Sequence, residues 1–293
     1  MKSLQKWFSL TRPSQQLKTG AVVIGALASG KVNSLEAIAN LLLLTLLWVS
    51  LSSCVYILND ISDLEKDKLH PKKSRRPLAS GQVSINFARN TLAIFLIMNI
   101  SLFPYLGSGV SICALIYFIL NIAYSFKLKN FVVIDLLIVC AGFVLRGLSG
   151  VLIVNAEPSL WFILLSLFGS LLLVSGKRSA QRIESENLNS SHRVTISRYP
   201  LTFLRQIQTI SSSGLIISYV MMTQEKANLE NLQKLILELT IVPFMSTILY
   251  INYYQDIQNE EEVTNLLVSK KPILYSSIIW FILFTMSILE VGF

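Results

Sequence analysis

The chain has 293 residues, of which 53% are hydrophobic and only 14% are charged. Soluble globular proteins are usually about one quarter charged, so this composition excludes an ordinary soluble enzyme, and its apolar content excludes a disordered chain. The three cysteines lie in separate apolar stretches without a C-x-x-C pair, which does not favour a disulfide framework or a thiolate metal site. The formal net charge of +8 is divided among short basic loops, so we expect no nucleic-acid partner.

Long stretches without charge predict helices that cross a membrane, because a span of the hydrocarbon core takes about 20 mostly apolar residues. In chain order, the predicted helices are 14–30, 36–59, 85–105, 109–126, 130–153, 158–176, 201–223, 234–253 and 272–291. The polar segment 1–18 has no apolar core of a cleavable signal peptide, so we expect none. The predicted fold class is all-α: a polytopic membrane protein with nine transmembrane helices, in which residues 1–293 form a single integral-membrane domain.

The distribution of lysine and arginine predicts how these helices are oriented. With the N-terminus in the cytoplasm, 21 of the 25 basic residues fall in cytoplasmic segments. Only Lys31, Lys226 and Lys234 fall on the opposite side, and Arg146 lies inside a helix. The positive-inside rule favours this topology, which places the C-terminus outside. We therefore expect a multi-pass protein of the inner (plasma) membrane.

Aspartate is rare, and three of the five aspartates lie within eight residues where the second predicted helix ends. On a continuous helix, Asp60, Asp63 and Asp67 lie within about 60° of one another, with Asn59 beside them. Carboxylates on one stripe repel each other unless a cation lies among them, and Mg²⁺ prefers such oxygen ligands together with substrate phosphates. We predict that these four residues bind Mg²⁺ and that the three aspartates are catalytic. The alternative is a solvated helix end whose acids are balanced by neighbouring lysines.

A basic turn follows the acidic stripe directly and predicts phosphate binding. It includes Lys72, Arg75 and Arg76, and an arginine donates forked hydrogen bonds to phosphate oxygens. The alternative is a positive-inside loop without a ligand. An acidic stripe next to a basic turn favours recognition of a Mg²⁺–diphosphate group.

Two ionisable residues lie inside the fifth predicted helix. Asp135 and Arg146 are eleven residues apart, about three turns, so both face one way. Ionisable groups in a membrane helix usually face a wet cavity or pair with another helix, and both interpretations stay open here. Tyr124 and Lys127 end the fourth predicted helix, where interfacial anchoring is the alternative to substrate binding.

The segment N-D-I-S-D-L-E-K-D, which begins at Asn59, resembles the first aspartate-rich motif of the UbiA prenyltransferase superfamily, N-D-x-x-D-x-x-x-D. The resemblance continues through L-T-R-P near the N-terminus, Y-S-F-K-L-K at Tyr124, G-F-V-L-R-G around Arg146 and G-K-R at Lys177. This wider pattern looks most like the branch of polyprenyl-phosphate (decaprenyl-phosphate) phosphoribosyltransferases. Aromatic prenyltransferases carry a second aspartate-rich motif after the sixth helix, whereas residues 177–200 contain no aspartate. Gln181 stands where this branch is expected to have glutamate.

The resemblance implies a Mg²⁺-dependent membrane glycosyltransferase with a cavity that faces the cytoplasm. Its reaction would transfer 5-phosphoribose from phosphoribosyl pyrophosphate to a polyprenyl phosphate and release pyrophosphate. Residues implied to steer the donor and acceptor phosphates are Lys18, Lys127, Arg146, Lys177 and Arg178. Two alternatives stay open: an aromatic-acceptor prenyltransferase that uses a polyprenyl diphosphate, and a transporter or scaffold without catalytic activity. The sequence does not determine the oligomeric state.

Overall fold

A computed structural model describes residues 3–69, 73–187, 198–225, 231–258, 266 and 269–288. Across these residues every regular element is helical, which confirms the all-α class. Six helical segments are long and apolar enough to cross a membrane: Leu35–Ser62, Ile85–Leu106, Ser108–Phe126, Ile134–Ile153, Leu160–Ile183 and Leu232–Ile257. The last segment consists of two consecutive helices. The chain is a multi-pass integral membrane protein. The predicted total of nine spans also counts shorter or more polar helices, and it stays a prediction.

The first compact unit comprises residues 1–127 and 145–158. Its helices are α1 (Ser3–Leu10), α2 (Gly20–Ala28), α3 (Leu35–Ser62), α4 (Leu64–Lys68), α5 (Ile85–Leu106), α6 (Ser108–Phe126) and the second part of α7 (Ile134–Ile153). The side chains of Ser34 and Ser84 cap α3 and α5 by accepting a backbone N–H of the first turn. Helix α3 packs against α2, α5 and α6 and carries the fully buried Trp48.

The first predicted helix, 14–30, is not continuous. A 3₁₀ helix over Pro13–Thr19 precedes α2, and Arg12 before it has the left-handed backbone angles φ 48° and ψ 69°. Proline fixes its own φ and lacks an N–H, so Pro13 is tolerated in a first turn while the chain changes direction at Arg12. Residues 13–19 therefore form a separate 3₁₀ helix and are not part of α2.

Glycines bring the backbone of α2 against the second part of α7. A Cβ atom at Gly25 would lie 2.1 Å from the carbonyl oxygen of Gly147, and one at Gly150 would lie 2.0 Å from the carbonyl oxygen of Val22. Real Cβ atoms do not approach a carbonyl this closely, so these positions require glycine. Small residues at contacts between membrane helices generally let the helix backbones approach closely.

The second compact unit comprises residues 128–144 and 159–293. After a 3₁₀ turn at Leu128–Asn130, its helices are the first part of α7, α8 (Leu160–Asn187), α9 (Leu201–Glu225), α10 (Asn231–Leu239), α11 (Ile241–Gln258) and α12 (Lys271–Ile288). Helices α8 and α9 pack along each other, and α12 packs against α10 and α11. A core cluster formed by Leu172, Leu215, Ile248, Ile251, Leu266 and Ile273 lies within this unit.

Two predicted helices of this unit have different ends in the structure. The helix expected at 158–176 continues to Asn187, because the following lysine, arginines and glutamine are good helix formers although they end the apolar run. The helix expected at 234–253 is divided at Thr240 into α10 and α11. Pro243 lacks the N–H that an unbroken helix would donate to the carbonyl of Leu239.

Candidate active site

Two of the three clustered aspartates are buried and share one arginine. The carboxylates of Asp60 and Asp67 are each 4% exposed. Nη1 of Arg76 lies 3.2 Å from Oδ1 of Asp60 and 2.5 Å from Oδ2 of Asp67. Nη2 of Arg12 donates a second, short hydrogen bond to Oδ1 of Asp60, and Nζ of Lys73 lies 3.9 Å from Oδ1 of Asp67. The two carboxylates therefore converge on one positively charged position.

The continuous helical stripe expected over residues 59–67 is wrong, because the helix is broken at Asp63. Helix α3 ends at Ser62, Asp63 has φ −100° and ψ 10°, and α4 begins at Leu64. Two helix-like hydrogen bonds meet at the break: the N–H of Asp63 donates to the carbonyl of Asn59 at 2.9 Å, and the N–H of Asp67 donates to the carbonyl of Asp63 at 2.8 Å. The side chain of Asp63 is half-buried, whereas those of Asp60 and Asp67 are buried.

The carboxylates of Asp60 and Asp67 are the kind of ligand that a magnesium ion takes in proteins. Among the described residues, no group of three or more histidine, cysteine, aspartate or glutamate side chains has a metal-binding arrangement. Mg²⁺ typically takes only one or two carboxylates and completes its shell with water and substrate phosphates. Asp60 and Asp67 have oxygen atoms within 3.2 Å of one common point, the Nη1 atom of Arg76. The pair therefore offers the carboxylate donors that Mg²⁺ prefers, on two side chains that already face one cation.

Arg12 is a site residue that the sequence prediction missed. Its guanidinium lies against Asp60 and 5.2 Å from the ring centroid of Tyr56, which adds a cation–π contact. Burial lowers the pKa of the Arg12 side chain and the charge of Asp60 raises it, but an arginine stays protonated in proteins. The T-R-P sequence before the first apolar stretch was the only sign of Arg12 that the sequence offered. Nothing in it indicates that Arg12 contacts Asp60, which lies 48 residues later.

The other predicted site residues of the first unit differ in how exposed their side chains are. Asn59 and Lys18 are half-buried, the latter in the 3₁₀ helix before α2. Arg75, next to Arg76, is exposed, and Lys72 lies outside the described residues. Tyr124 in the last turn of α6 is half-buried, and Lys127, which caps this helix, is exposed.

Arg146 lies in an aromatic cage within the first unit. Its Nη2 donates to the hydroxyls of Ser52 and Tyr117 at 2.7 and 2.9 Å. The guanidinium carbon is 5.0 Å from the ring centroid of Trp48 and 4.4 Å from that of Tyr117. Only 4% of the residue is exposed, so the aromatic faces and hydroxyls stabilise a charge inside a membrane helix.

Asp135 and Arg178 form a buried, two-pronged ion pair in the second unit. Nε and Nη2 of Arg178 lie 3.0 and 3.1 Å from the two carboxylate oxygens of Asp135. The remaining Nη1 donates to Oε1 of Gln181 at 2.9 Å, so the glutamine supplies a neutral acceptor where glutamate was expected. Asp135 thus pairs with Arg178. Lys177, the next predicted phosphate ligand, is half-buried.

A strained turn precedes α7 beside this pair. Val133 has φ 71°, a left-handed conformation that β-branched residues rarely adopt. Its N–H donates to the hydroxyl of the buried Tyr199 at 2.8 Å, and Nε of Arg182 donates to the carbonyl of Tyr199 at 3.3 Å. Such strain persists only where its surroundings enforce it, and Tyr199 does so here.

Comparison with protein families gives one match. The sequence pattern described as the UbiA prenyltransferase family matches residues 19–176. A decaprenyl-phosphate phosphoribosyltransferase of Corynebacterium glutamicum is 31% identical over 72% of this chain, and the match spans 64% of that protein's length. A protein of the same name from Mycolicibacterium smegmatis is 28% identical over 84% of this chain and 80% of its own length.

Solved structures show the same fold at low sequence identity. A UbiA homolog from Archaeoglobus fulgidus bound to GPP and Mg²⁺ has a TM-score of 0.69 and 16% identity, and covers 96% of this chain and 98% of its own. A UbiA homolog from Aeropyrum pernix K1 has a TM-score of 0.63 and 17% identity over 99% of this chain and 100% of its own. At these identities, the likeness concerns the fold alone.

Proposed function

The chain belongs to the UbiA prenyltransferase family, and from this premise we propose that it transfers 5-phosphoribose from phosphoribosyl pyrophosphate to a polyprenyl phosphate. Family membership makes it a membrane transferase. The narrower activity is supported by the names of the relatives that are about 30% identical. It is also supported by residues 177–200, which contain no aspartate but several arginines where aromatic prenyltransferases hold further metal ions.

The observation that carries the proposal is the convergence of Asp60 and Asp67 beside Arg12 and Arg76. The two aspartates would hold Mg²⁺, which supplies neutralising charge for a departing pyrophosphate. Arg12 and Arg76, together with Lys73, would bind the oxygens of that pyrophosphate by charge-assisted hydrogen bonds. Basic residues directly beside a carboxylate pair support a site for a metal–diphosphate group rather than for the metal alone.

The chemistry is a substitution at the anomeric carbon of the ribose. The bond from this carbon to the pyrophosphate oxygen breaks, and its electron pair leaves with pyrophosphate. A lone pair of the lipid phosphate forms the new carbon–oxygen bond while positive charge develops on the ribose, as in glycoside hydrolysis. Because the acceptor is already an anion, no strong general base is required. Lys18, Lys127 and Lys177 are proposed to orient phosphate groups, and Asp135 to hold Arg178 in place.

We also propose that the protein spans the inner membrane nine times with a cytoplasmic N-terminus. In the first unit, Arg12, Asp60, Asp67 and Arg76 lie together, and each falls in a segment predicted to be cytoplasmic. Lys31 donates to the carbonyl of Asn155 at 3.1 Å, and both residues fall in segments predicted to lie outside. The site would accordingly face the cytoplasm, where a soluble sugar phosphate is available.

Substitution of the carboxylate pair tests this function. The purified full-length protein is incubated with radiolabelled phosphoribosyl pyrophosphate, polyprenyl phosphate and Mg²⁺, and the label in extracted lipid is measured. Asp60→Asn and Asp67→Asn should each lower transfer about a hundredfold or more, as loss of preorganised charge stabilisation typically does. Glu65→Gln is the matched control, because Glu65 lies on the same segment but is exposed and pairs with Lys68.

Two outcomes would contradict the proposal. If no label enters lipid while a polyprenyl diphosphate alkylates an aromatic acid, the protein is an aromatic prenyltransferase. If both aspartate variants transfer phosphoribose as fast as Glu65→Gln does, the carboxylate pair is not the catalytic site. A mass spectrum of the lipid product identifies the transferred group directly.

A further inference from the structure

The position between Asp60 and Asp67 is held by a guanidinium group. Nη1 of Arg76 bonds to both carboxylates, and Arg12 bonds to Asp60 from another part of the chain. Two buried carboxylates repel each other, so they stay ionised only if positive charge lies beside them. A divalent cation that bridged the same two oxygens would have to occupy the position of this guanidinium.

We propose that Arg76, assisted by Arg12, is an exchangeable counter-cation of the carboxylate pair. Without a divalent cation, the arginines balance the charge of Asp60 and Asp67. When a divalent cation enters with a diphosphate, their guanidinium groups leave the carboxylates and bind the diphosphate oxygens. This inference deepens the proposed function and rests on it, since it assigns how the same site couples the binding of metal to the binding of diphosphate.

The exposure of the side chains fits such an exchange. The carboxylates are 4% exposed, whereas the side chain of Arg12 is 21% and that of Arg76 is 28% exposed. The backbone of Arg76 is fixed by hydrogen bonds from its N–H to the carbonyl of Lys73 and from the N–H of Ser80 to its own carbonyl, both 2.9 Å. These bonds hold the backbone of the turn, while the arginine side chains are more exposed than the carboxylates that they contact.

The exchange makes the binding of metal and diphosphate cooperative. A metal ion alone displaces the arginines and leaves their charges without a partner, so it binds weakly. A diphosphate provides oxygens for the released guanidinium groups, so metal and diphosphate each increase the affinity for the other by the same factor. The site would therefore not fill with metal until the donor substrate is present.

Metal binding without turnover tests this proposal. Free Mn²⁺ is measured by electron paramagnetic resonance during titration of the full-length protein, with and without inorganic pyrophosphate. Without pyrophosphate, Arg76→Gln should bind Mn²⁺ about tenfold more tightly than the unmodified protein, because a charge-assisted competitor has been removed. Pyrophosphate should increase the Mn²⁺ affinity of the unmodified protein more than that of Arg76→Gln.

Arg75→Gln is the matched control. Arg75 is the neighbouring, exposed residue of the same turn, so its loss removes the same charge without vacating the position between the carboxylates. Without pyrophosphate, its Mn²⁺ affinity should change by no more than about twofold, since exposed charges are screened by salt. Equal increases in Arg75→Gln and Arg76→Gln would show a general charge effect and overturn the proposal.

Thermal unfolding gives an independent measurement. In EDTA, Arg76→Gln leaves two buried carboxylates with less positive charge, so its unfolding temperature should fall below that of Arg75→Gln. Excess Mg²⁺ should raise the unfolding temperature of Arg76→Gln by more than that of the unmodified protein, where one cation replaces another. An equal or smaller rise in Arg76→Gln, or no Mn²⁺ binding to any of the proteins, would overturn the proposal.

The failure of this inference is distinguishable from failure of the proposed function. If the unmodified protein transfers phosphoribose and Arg76→Gln does not increase the Mn²⁺ affinity, only the proposed exchange is refuted. If Arg76→Gln increases the Mn²⁺ affinity tenfold but the unmodified protein transfers no label to lipid, only the proposed phosphoribosyl transfer is refuted.

Discussion

At the scale of single residues, the Asp135–Arg178 ion pair illustrates how much a buried charge depends on its partner. Asp135 is completely buried and Arg178 is 7% exposed. The pair satisfies both carboxylate oxygens and two guanidinium nitrogens, and Gln181 accepts a hydrogen bond from the third. Desolvation of two charges is costly, so this arrangement holds only while each partner is present.

Asp135→Asn should therefore lower the free energy of unfolding by about 3–5 kcal/mol, because it leaves the arginine charge buried and unpaired. The matched control is Asp256→Asn in the same unit. Asp256 lies 3.5 Å from Arg205, but both side chains are more than half exposed, so its loss should cost less than about 1 kcal/mol. Denaturant unfolding of the detergent-solubilised protein measures both values, and equal losses would contradict the buried pair.

The sequence predicted Asp60, Asp67, Arg76 and Arg178 as site residues, but it did not predict Arg12 or any of the ion pairs between these arginines and the aspartates. Spacing along the chain identifies residues that share a short segment, and both aspartates satisfy that condition. Arg12 is 48 residues from Asp60, and Arg178 is 43 residues from Asp135, so each contact depends on tertiary packing. The positive φ angles of Arg12 and Val133 could not be predicted from the sequence either, because neither residue type indicates a left-handed backbone.

At the scale of helices, hydropathy predicted stretches that include the six candidate spans of the described residues, but it placed several helix ends wrongly. Apolar runs mark the part of a helix that lies in lipid, whereas α8 continues through eleven further residues from Lys177 to Asn187. The break at Asp63 was not predicted, because no glycine or proline precedes it and both flanking segments are helical. Helix ends therefore follow from capping and tertiary contacts more than from composition.

The contact between α2 and α7 gives a prediction at this scale. Gly25→Ala places a methyl group 2.1 Å from the carbonyl oxygen of Gly147, so the helices must separate. We expect a loss of about 1–3 kcal/mol in the free energy of unfolding, as is usual for overpacked cores. Gly20→Ala on the same helix is the control, because nothing lies within 4 Å of its added Cβ atom. The control should be neutral or slightly stabilising, and an equal loss in both variants would exclude close packing as the cause.

At the scale of the whole molecule, the topology can be tested with single cysteines. Cys54, Cys113 and Cys140 are buried, so they contribute little background labelling. Glu157 and Glu65 are exposed and fall in segments predicted to lie on opposite sides of the membrane. A membrane-impermeant maleimide should label Glu157→Cys in intact cells, and Glu65→Cys only after permeabilisation. Labelling of both positions in intact cells would contradict the proposed orientation.

The length of α3 has a consequence for where the two substrates would meet. Its 28 residues extend about 42 Å, whereas the hydrocarbon core is about 30 Å thick. With the proposed cytoplasmic orientation, we expect the final turns, which carry Asp60, to extend into the headgroup layer instead of ending within the acyl chains. A polyprenyl phosphate keeps its own anionic end at that depth. The lipid would thus reach the carboxylates by lateral diffusion alone, without carrying its phosphate into the oily interior.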